Sequence, residues 1–202
     1  MVAKNSRVAA QAETRRLLKE HGREMMLASG FASASVSAIA TRAGFTTGAF
    51  YSNFESKAEL TLEILADLQA EAEAQLTAIF ADDNARGGRI ERIRAWTDET
   101  LDSGWPRLEL EFALANRDNV AVVSTEGTRN RTAVDGITGF VEQVLPEQLS
   151  TLPIRRVAEL VLDLCFGLAV RRIIDPSVST SHLFDLVEQL AAGFDATPAG
   201  RG

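Results

Sequence analysis

Apolar residues recur at helical spacing along most of this chain, and nowhere do they alternate in the two-residue rhythm of a strand. Leu17, Leu18, Met25 and Met26 mark the inner side of a helix over residues 9–29, which Gly30 ends. Residues 1–8 carry no sustained pattern and read as a loose arm, with Lys4 and Arg7 within reach of a phosphate. Two short helices follow, at 35–43 and 47–53. A long one opens at Glu55-Ser56-Lys57 and buries Leu60, Ile64, Leu65, Leu68, Leu76, Ile79 and Phe80. The polar stretch 82–88 breaks the pattern. Further helices are expected at 89–103, from Trp105-Pro106, where proline suits the first turn, and at 120–145, 153–174 and 181–194. The reading is an all-α fold of about nine helices: a three-helix module at 1–54, a larger helical domain at 55–195, and a disordered tail at 196–202.

The densest local information lies between Ser35 and Lys57. Ser35 can cap the orphan amides of a helix carrying Val36, Ile39 and Ala40 at helical spacing. Gly44 follows Ala43, where a left-handed residue is needed to stop one helix and turn into the next. Thr46 and Thr47 both offer a second cap, and Ala49, Phe50, Tyr51 and Phe54 carry the following helix. Helix, short glycine-containing turn and second helix make up the layout that lays a recognition helix in the DNA major groove.

The stretch Arg15 to Leu60 resembles the DNA-binding domain of the TetR family of bacterial transcriptional regulators. The resemblance is carried by Gly30-Phe31, Ser35-Val36-x-x-Ile39-Ala40, Ala43-Gly44-Phe45 and Gly48-Ala49-Phe50-Tyr51-x-x-Phe54-x-Ser56-Lys57-x-x-Leu60. It covers the first quarter to third of the chain. It implies a DNA-reading head followed by a helical domain that binds an effector and dimerises. There are departures. His21 and Gly22 stand where the family more often has small apolar residues, and Gly22 should cost the helix about 1 kcal/mol relative to Ala. Ala34 stands where the family often has Thr, and Ser52-Asn53 replaces the commoner aromatic-His pair.

Net charge is −7, which taken alone argues against a nucleic-acid partner, but its distribution alters the picture. Residues 1–60 hold eight Lys or Arg against five Asp or Glu, a balance of +3. The remainder holds thirteen against twenty-three, a balance of −10. A basic module on an acidic body can hold phosphate on one face while the body stays soluble. The single cysteine, Cys165, excludes an internal disulfide framework and a cysteine-based zinc site. The most apolar run, Leu160 to Val170, is interrupted by Asp163 and is too short for a bilayer. No early stretch resembles a signal peptide, so a cytoplasmic protein without a membrane partner is expected.

The candidate DNA contacts are Ser35, Ser37, Arg42, Thr46, Thr47, Gly48, Tyr51, Asn53 and Lys57. Threonine can hydrogen-bond to phosphates or base edges and lay its methyl on a thymine methyl, and Gly48 has no side chain to hold the backbone off the duplex. Lys57 can meet a phosphate at a helix start, where the macrodipole adds attraction. Each has a plainer reading: Phe50 and Phe54 as core, one threonine as a cap first, Lys57 as a solvated lysine.

One short module offers limited area on a half-site, so a homodimer on a palindromic double-stranded operator is expected. The helices 153–174 and 181–194, apolar on more than one face, are the natural interface. Trp96, Trp105, Phe112, Phe140 and Phe166 are candidates to line an effector pocket for an unidentified small molecule, although an aromatic in such a helix is more often plain core. The expected activity is that of a ligand-responsive repressor, with activation left open. A small helical enzyme is disfavoured. No glycine-rich phosphate loop, zinc spacing or nucleophile elbow is present, and neither His21 nor His182 neighbours a plausible nucleophile, so no catalytic residue, metal or cofactor is assigned. A helical binding protein whose head no longer touches DNA is the third reading.

Overall fold

The structure is a computed structural model that describes residues 2–81, 88–144 and 153–195. Nine α-helices and no strand occur among the described residues: α1 (Val2–Ser33), α2 (Val36–Arg42), α3 (Thr47–Tyr51), α4 (Lys57–Ala81), α5 (Arg89–Asp102), α6 (Trp105–Ala115), α7 (Val120–Val144), α8 (Ile154–Ile174) and α9 (Ser181–Asp195). The all-α architecture read from the sequence is therefore the one observed. The break at 82–88 falls largely on residues outside the described set, as does the tail at 196–202. No described helix is long and apolar enough to cross a membrane.

Two differences concern α1. Residues 1–8 read as a loose arm, yet the helix already begins at Val2. Alanine and other good helix formers across 8–19 let an established helix propagate without an apolar stripe to anchor it. At the other end Gly30 interrupts the helix (φ 86°, ψ 169°), a conformation only glycine enters freely, and a last helical turn resumes beyond it.

The chain forms two compact units, one of Met1–Gln69 with Ser103–Thr128 and one of Ala70–Asp102 with Arg129–Gly202. The first is built on a core of Leu18, Met26, Ile39, Phe50, Phe54, Leu60, Ile64 and Leu65 from α1 to α4, which Leu108 and Phe112 of α6 complete. All ten of these side chains are buried essentially completely. Burying one such side chain is worth roughly 1.5–3 kcal/mol, enough to hold helices of seven and five residues that could not survive alone. Gly22 is buried at a close approach of α1 and α4: a Cβ there would lie 3.0 Å from Leu60 Cδ2. The missing methyl makes room for Leu60, a packing reason for a residue of poor helix propensity.

α6 holds the end of α1 in several ways. The Phe112 ring meets Phe31 edge-on, with centroids 5.3 Å apart. Arg107 Nη2 donates to the Leu27 carbonyl at 3.0 Å, and Glu111 Oε2 accepts from the Ala32 amide at 3.2 Å. Gly104, at φ 84°, caps α6 and lies so close to Leu27 that a Cβ would come within 2.1 Å of its carbonyl oxygen.

In the second unit Arg172 of α8 is nearly enclosed. Its guanidinium donates to Asp98 Oδ1 (2.7 Å), Asp102 Oδ1 (3.1 Å) and the carbonyls of Asp98 and Val178. The buried Thr180 hydroxyl adds a bond to Asp98 and ties the turn before α9 to α5. Phe80 and Phe140 stack at 4.9 Å between the ends of α4 and α7. Along α8, by contrast, Leu160, Val161, Leu164, Phe166, Val170, Ile173 and Ile174 all remain exposed.

Candidate nucleic-acid interface

The α2–turn–α3 element is set by short-range chemistry. Ser35 caps α2, its Oγ accepting from the Ala38 amide at 3.1 Å. Ala43 and Gly44 end the helix, with Gly44 at φ 79° and open space where its side chain would be. Thr46, rather than Thr47, is the second cap: its Oγ1 accepts from the Ala49 amide at 3.2 Å. Phe50 turns inward from α3, is completely buried, and packs against Phe54 at 5.5 Å. This anchoring leaves Thr46, Thr47, Gly48 and Tyr51 exposed, with Tyr51 57% accessible. Ser35 and Ser37 are exposed as well. A compact hydroxyl-rich edge backed by buried aromatics is thus presented to solvent at the start and along the outer side of α3.

Residues 18–64 match the model of the bacterial regulatory proteins of the tetR family. Over this stretch, under a quarter of its length, the chain is similar to that family. Solved structures agree in fold: a protein of Pseudomonas aeruginosa PAO1 assigned as a transcriptional regulator has a TM-score of 0.68 at 20% identity, with 90% of each chain covered. The reduced form of E. coli NemR gives 0.66 at 22%, covering 92% of this chain and 100% of that one. SmeT, the repressor of the Stenotrophomonas maltophilia multidrug efflux pump SmeDEF, gives 0.56 at 18% with 83% of each covered. No curated protein sequence matches.

Besides the capping Ser35 and Thr46, three more of the expected DNA contacts carry intramolecular duties. Asn53 donates from Nδ2 to the Ala49 carbonyl at 2.8 Å, and its Oδ1 is buried without a partner. Arg42 is exposed but lies 3.3 Å from Glu24 Oε2, the same oxygen that faces His21 Nδ1 at 3.2 Å. The His21 hydrogen bond, with Arg42 adding to it, holds the Glu24 carboxyl below its usual value. Lys57 donates to the Phe31 carbonyl at 2.8 Å, with its ammonium 3.9 Å from the Phe31 ring centroid. Burial pushes this ammonium below the ordinary lysine value, an effect that the Glu111 charge opposes. Ala34, the departure from the usual threonine, is fully buried.

The five aromatics expected at an effector pocket divide between the units. Phe112 is buried core of the first, and Trp105 packs on that core. In the second, Trp96 Nε1 donates to Gln75 Oε1 at 2.8 Å. Its ring borders a shallow groove of roughly 380 Å3 with Gln75, Ala78, Ile79, Arg92, Ala95 and Glu99. Phe140 is paired with Phe80, and Phe166 is 38% exposed on α8.

Sequence reasoning missed Arg15. Its guanidinium donates through Nη1 to the Asn53 carbonyl and through Nη2 to Glu63, with Glu59 Oε1 at 3.3 Å. It also sits 4.0 Å from the Phe54 ring centroid. Arg15 opens the segment that resembles the family, and that position was the only signal available.

Proposed function

We propose that this chain binds a palindromic double-stranded operator as a homodimer, as a cytoplasmic repressor released by a small-molecule effector. The reading head is residues 1–54, and residues 55–195 supply the effector and dimer surfaces. The observation that carries the reading is the exposed edge of Thr46, Thr47, Gly48 and Tyr51 over the buried Phe50 and Phe54. Such an edge suits a major groove, where hydroxyls and methyls meet base edges and the backbone approaches closely at glycine. Ser35, Ser37 and Arg42 flank it for the phosphates. Asn53 and Lys57 join the interface if DNA draws their polar groups from Ala49 and Phe31.

Dimerisation is supported by the exposed apolar length of α8, where Gly167 has open space around it. Two copies placing their α3 helices about 34 Å apart would meet successive major grooves. Effector contacts are proposed for the second unit, around Trp96, Phe140 and Phe166. The structural neighbour SmeT has been solved as a complex with triclosan. A difference of about 1–3 kcal/mol between the effector's affinities for two states changes operator binding 5- to 150-fold.

Fluorescence anisotropy on the DNA flanking this protein's own gene tests the reading. Operator binding should fall steeply as salt rises and weaken in Tyr51→Ala and Lys57→Ala. Sedimentation should give a dimer that Leu164→Glu dissociates. A wild-type protein that ignores these fragments at low salt is instead a helical binding protein with an idle head, a reading favoured by the inward commitment of Lys57.

A further inference from the structure

The geometry points to Arg15 as the residue that positions α3 for DNA reading, acting on the Asn53 carbonyl and not on a phosphate. This rests on the DNA-binding function proposed above. α3 has five residues and buries only Phe50 completely, so packing alone gives its orientation little restraint. Its carbonyls are instead taken up one by one. Gly48 O accepts from the Ser52 amide (3.1 Å) and Ser52 Oγ (3.0 Å). Ala49 O accepts from Asn53 Nδ2, and Phe50 O from the amides of Asn53 and Phe54, both at 2.9 Å. The Asn53 carbonyl, just past this set, is taken by Arg15 of α1.

A planar fork suits that task. One arm of the guanidinium holds Asn53 O, the other is braced by Glu63 and Glu59 of α4, and the flat face stacks on Phe54. One side chain thereby ties the end of the reading helix to both α1 and α4. With its charge already facing two carboxylates, Arg15 has little left to offer a phosphate. Lysine keeps the charge but has neither fork nor flat face, so Arg15→Lys separates positioning from charge.

The experiment pairs operator titrations with amide hydrogen exchange on the full-length protein. Arg15→Lys should lose roughly ten-fold in operator affinity, keep the wild-type salt slope, and lower the ratio of operator to non-operator binding. In the same variant, without DNA, the amides of Ser52, Asn53 and Phe54 should exchange about ten-fold faster, while those in the buried part of α4 are unchanged. Wild-type affinity and exchange in Arg15→Lys overturn the proposal. So does an Arg15→Gln protein whose salt slope falls by about one per subunit with its selectivity intact, the mark of a phosphate contact. Should the Arg15 variants fail to fold, Glu63→Gln loosens the brace, together with a longer pairing of Glu63 to Lys19 at 3.6 Å: faster exchange confined to 52–54 supports the proposal, and unchanged exchange there overturns it. A wild-type protein that binds no DNA defeats the functional reading, while the exchange comparison still decides whether Arg15 holds α3.

Discussion

The ammonium of Lys57 lies 2.8 Å from the carbonyl oxygen of Phe31, so the first residue of α4 closes the open end of α1. Phe31 directly follows the glycine break, near the end of the helix, where a carbonyl has few helical partners left. Lys57→Met keeps the aliphatic stem but removes the donor and the cation over the ring. The loss of a charge-assisted bond, offset by relief of burying an ammonium, is expected to lower stability by about 1 kcal/mol in urea melts. The difference should also depend on pH. Because folding depresses the Lys57 pKa, the unfolded chain binds the proton more tightly, and the penalty is fully present at neutral pH. It is relieved as pH rises through the shifted value toward the ordinary 10.5, so wild type should gain on Lys57→Met under alkaline conditions.

Gly104 and Gly44 share a left-handed backbone but not a neighbourhood. A Cβ on Gly44 meets nothing within 4 Å, whereas one on Gly104 would strike the Leu27 carbonyl oxygen at 2.1 Å. Gly44→Ala should therefore cost only the conformational strain, about 1–2 kcal/mol, and Gly104→Ala clearly more, with α6 displaced from α1. Equal melting temperatures for the two variants would contradict this account.

Tyr51 touches the protein mainly through its ring, which meets Phe50 edge-on at 5.4 Å. Tyr51→Phe should leave stability within about 0.5 kcal/mol of wild type. If the hydroxyl meets DNA in both halves of a dimer, operator affinity falls roughly three- to ten-fold, the worth of a modest hydrogen bond or two. Unchanged anisotropy titrations would remove this hydroxyl from the reading edge.

Burial pushes the Cys165 thiol above its ordinary value. Native protein should react with iodoacetamide at pH 8.5 far more slowly than protein unfolded in urea, since the thiolate is the nucleophile. The folded state holds the proton more tightly here, so this group's contribution to stability declines as pH rises past the ordinary thiol value of 9.0. Equal alkylation rates would show that α8 leaves the sulfur open.

What the sequence made legible was local. Ser35, Gly44 and Thr46 each act within four residues of themselves, and each does in the fold what its side chain and position foretold. Destinations reached through tertiary packing were not legible. Nothing near Lys57 in sequence says that its ammonium turns to a carbonyl 26 residues earlier. Arg15 reaches 38 residues forward to Asn53, and Gly22 reads as a plain cost until Leu60 is seen occupying the space. Phe112 is in sequence a candidate for the pocket with core as its plainer reading, and its partner Phe31 and full burial place it in the core.

The clasp of α6 on the end of α1 bears on how the proposed reading head could be transplanted. A chimaera that takes residues 1–69 from this chain and everything else from another would strip Phe31 of Phe112, leave the Ala32 amide without Glu111, and discard the arginine at Leu27. Grafting the proposed DNA specificity onto a foreign sensor therefore requires transplanting two separate stretches, the second from Ser103 to Thr128, so that the donated head arrives with its own keystone.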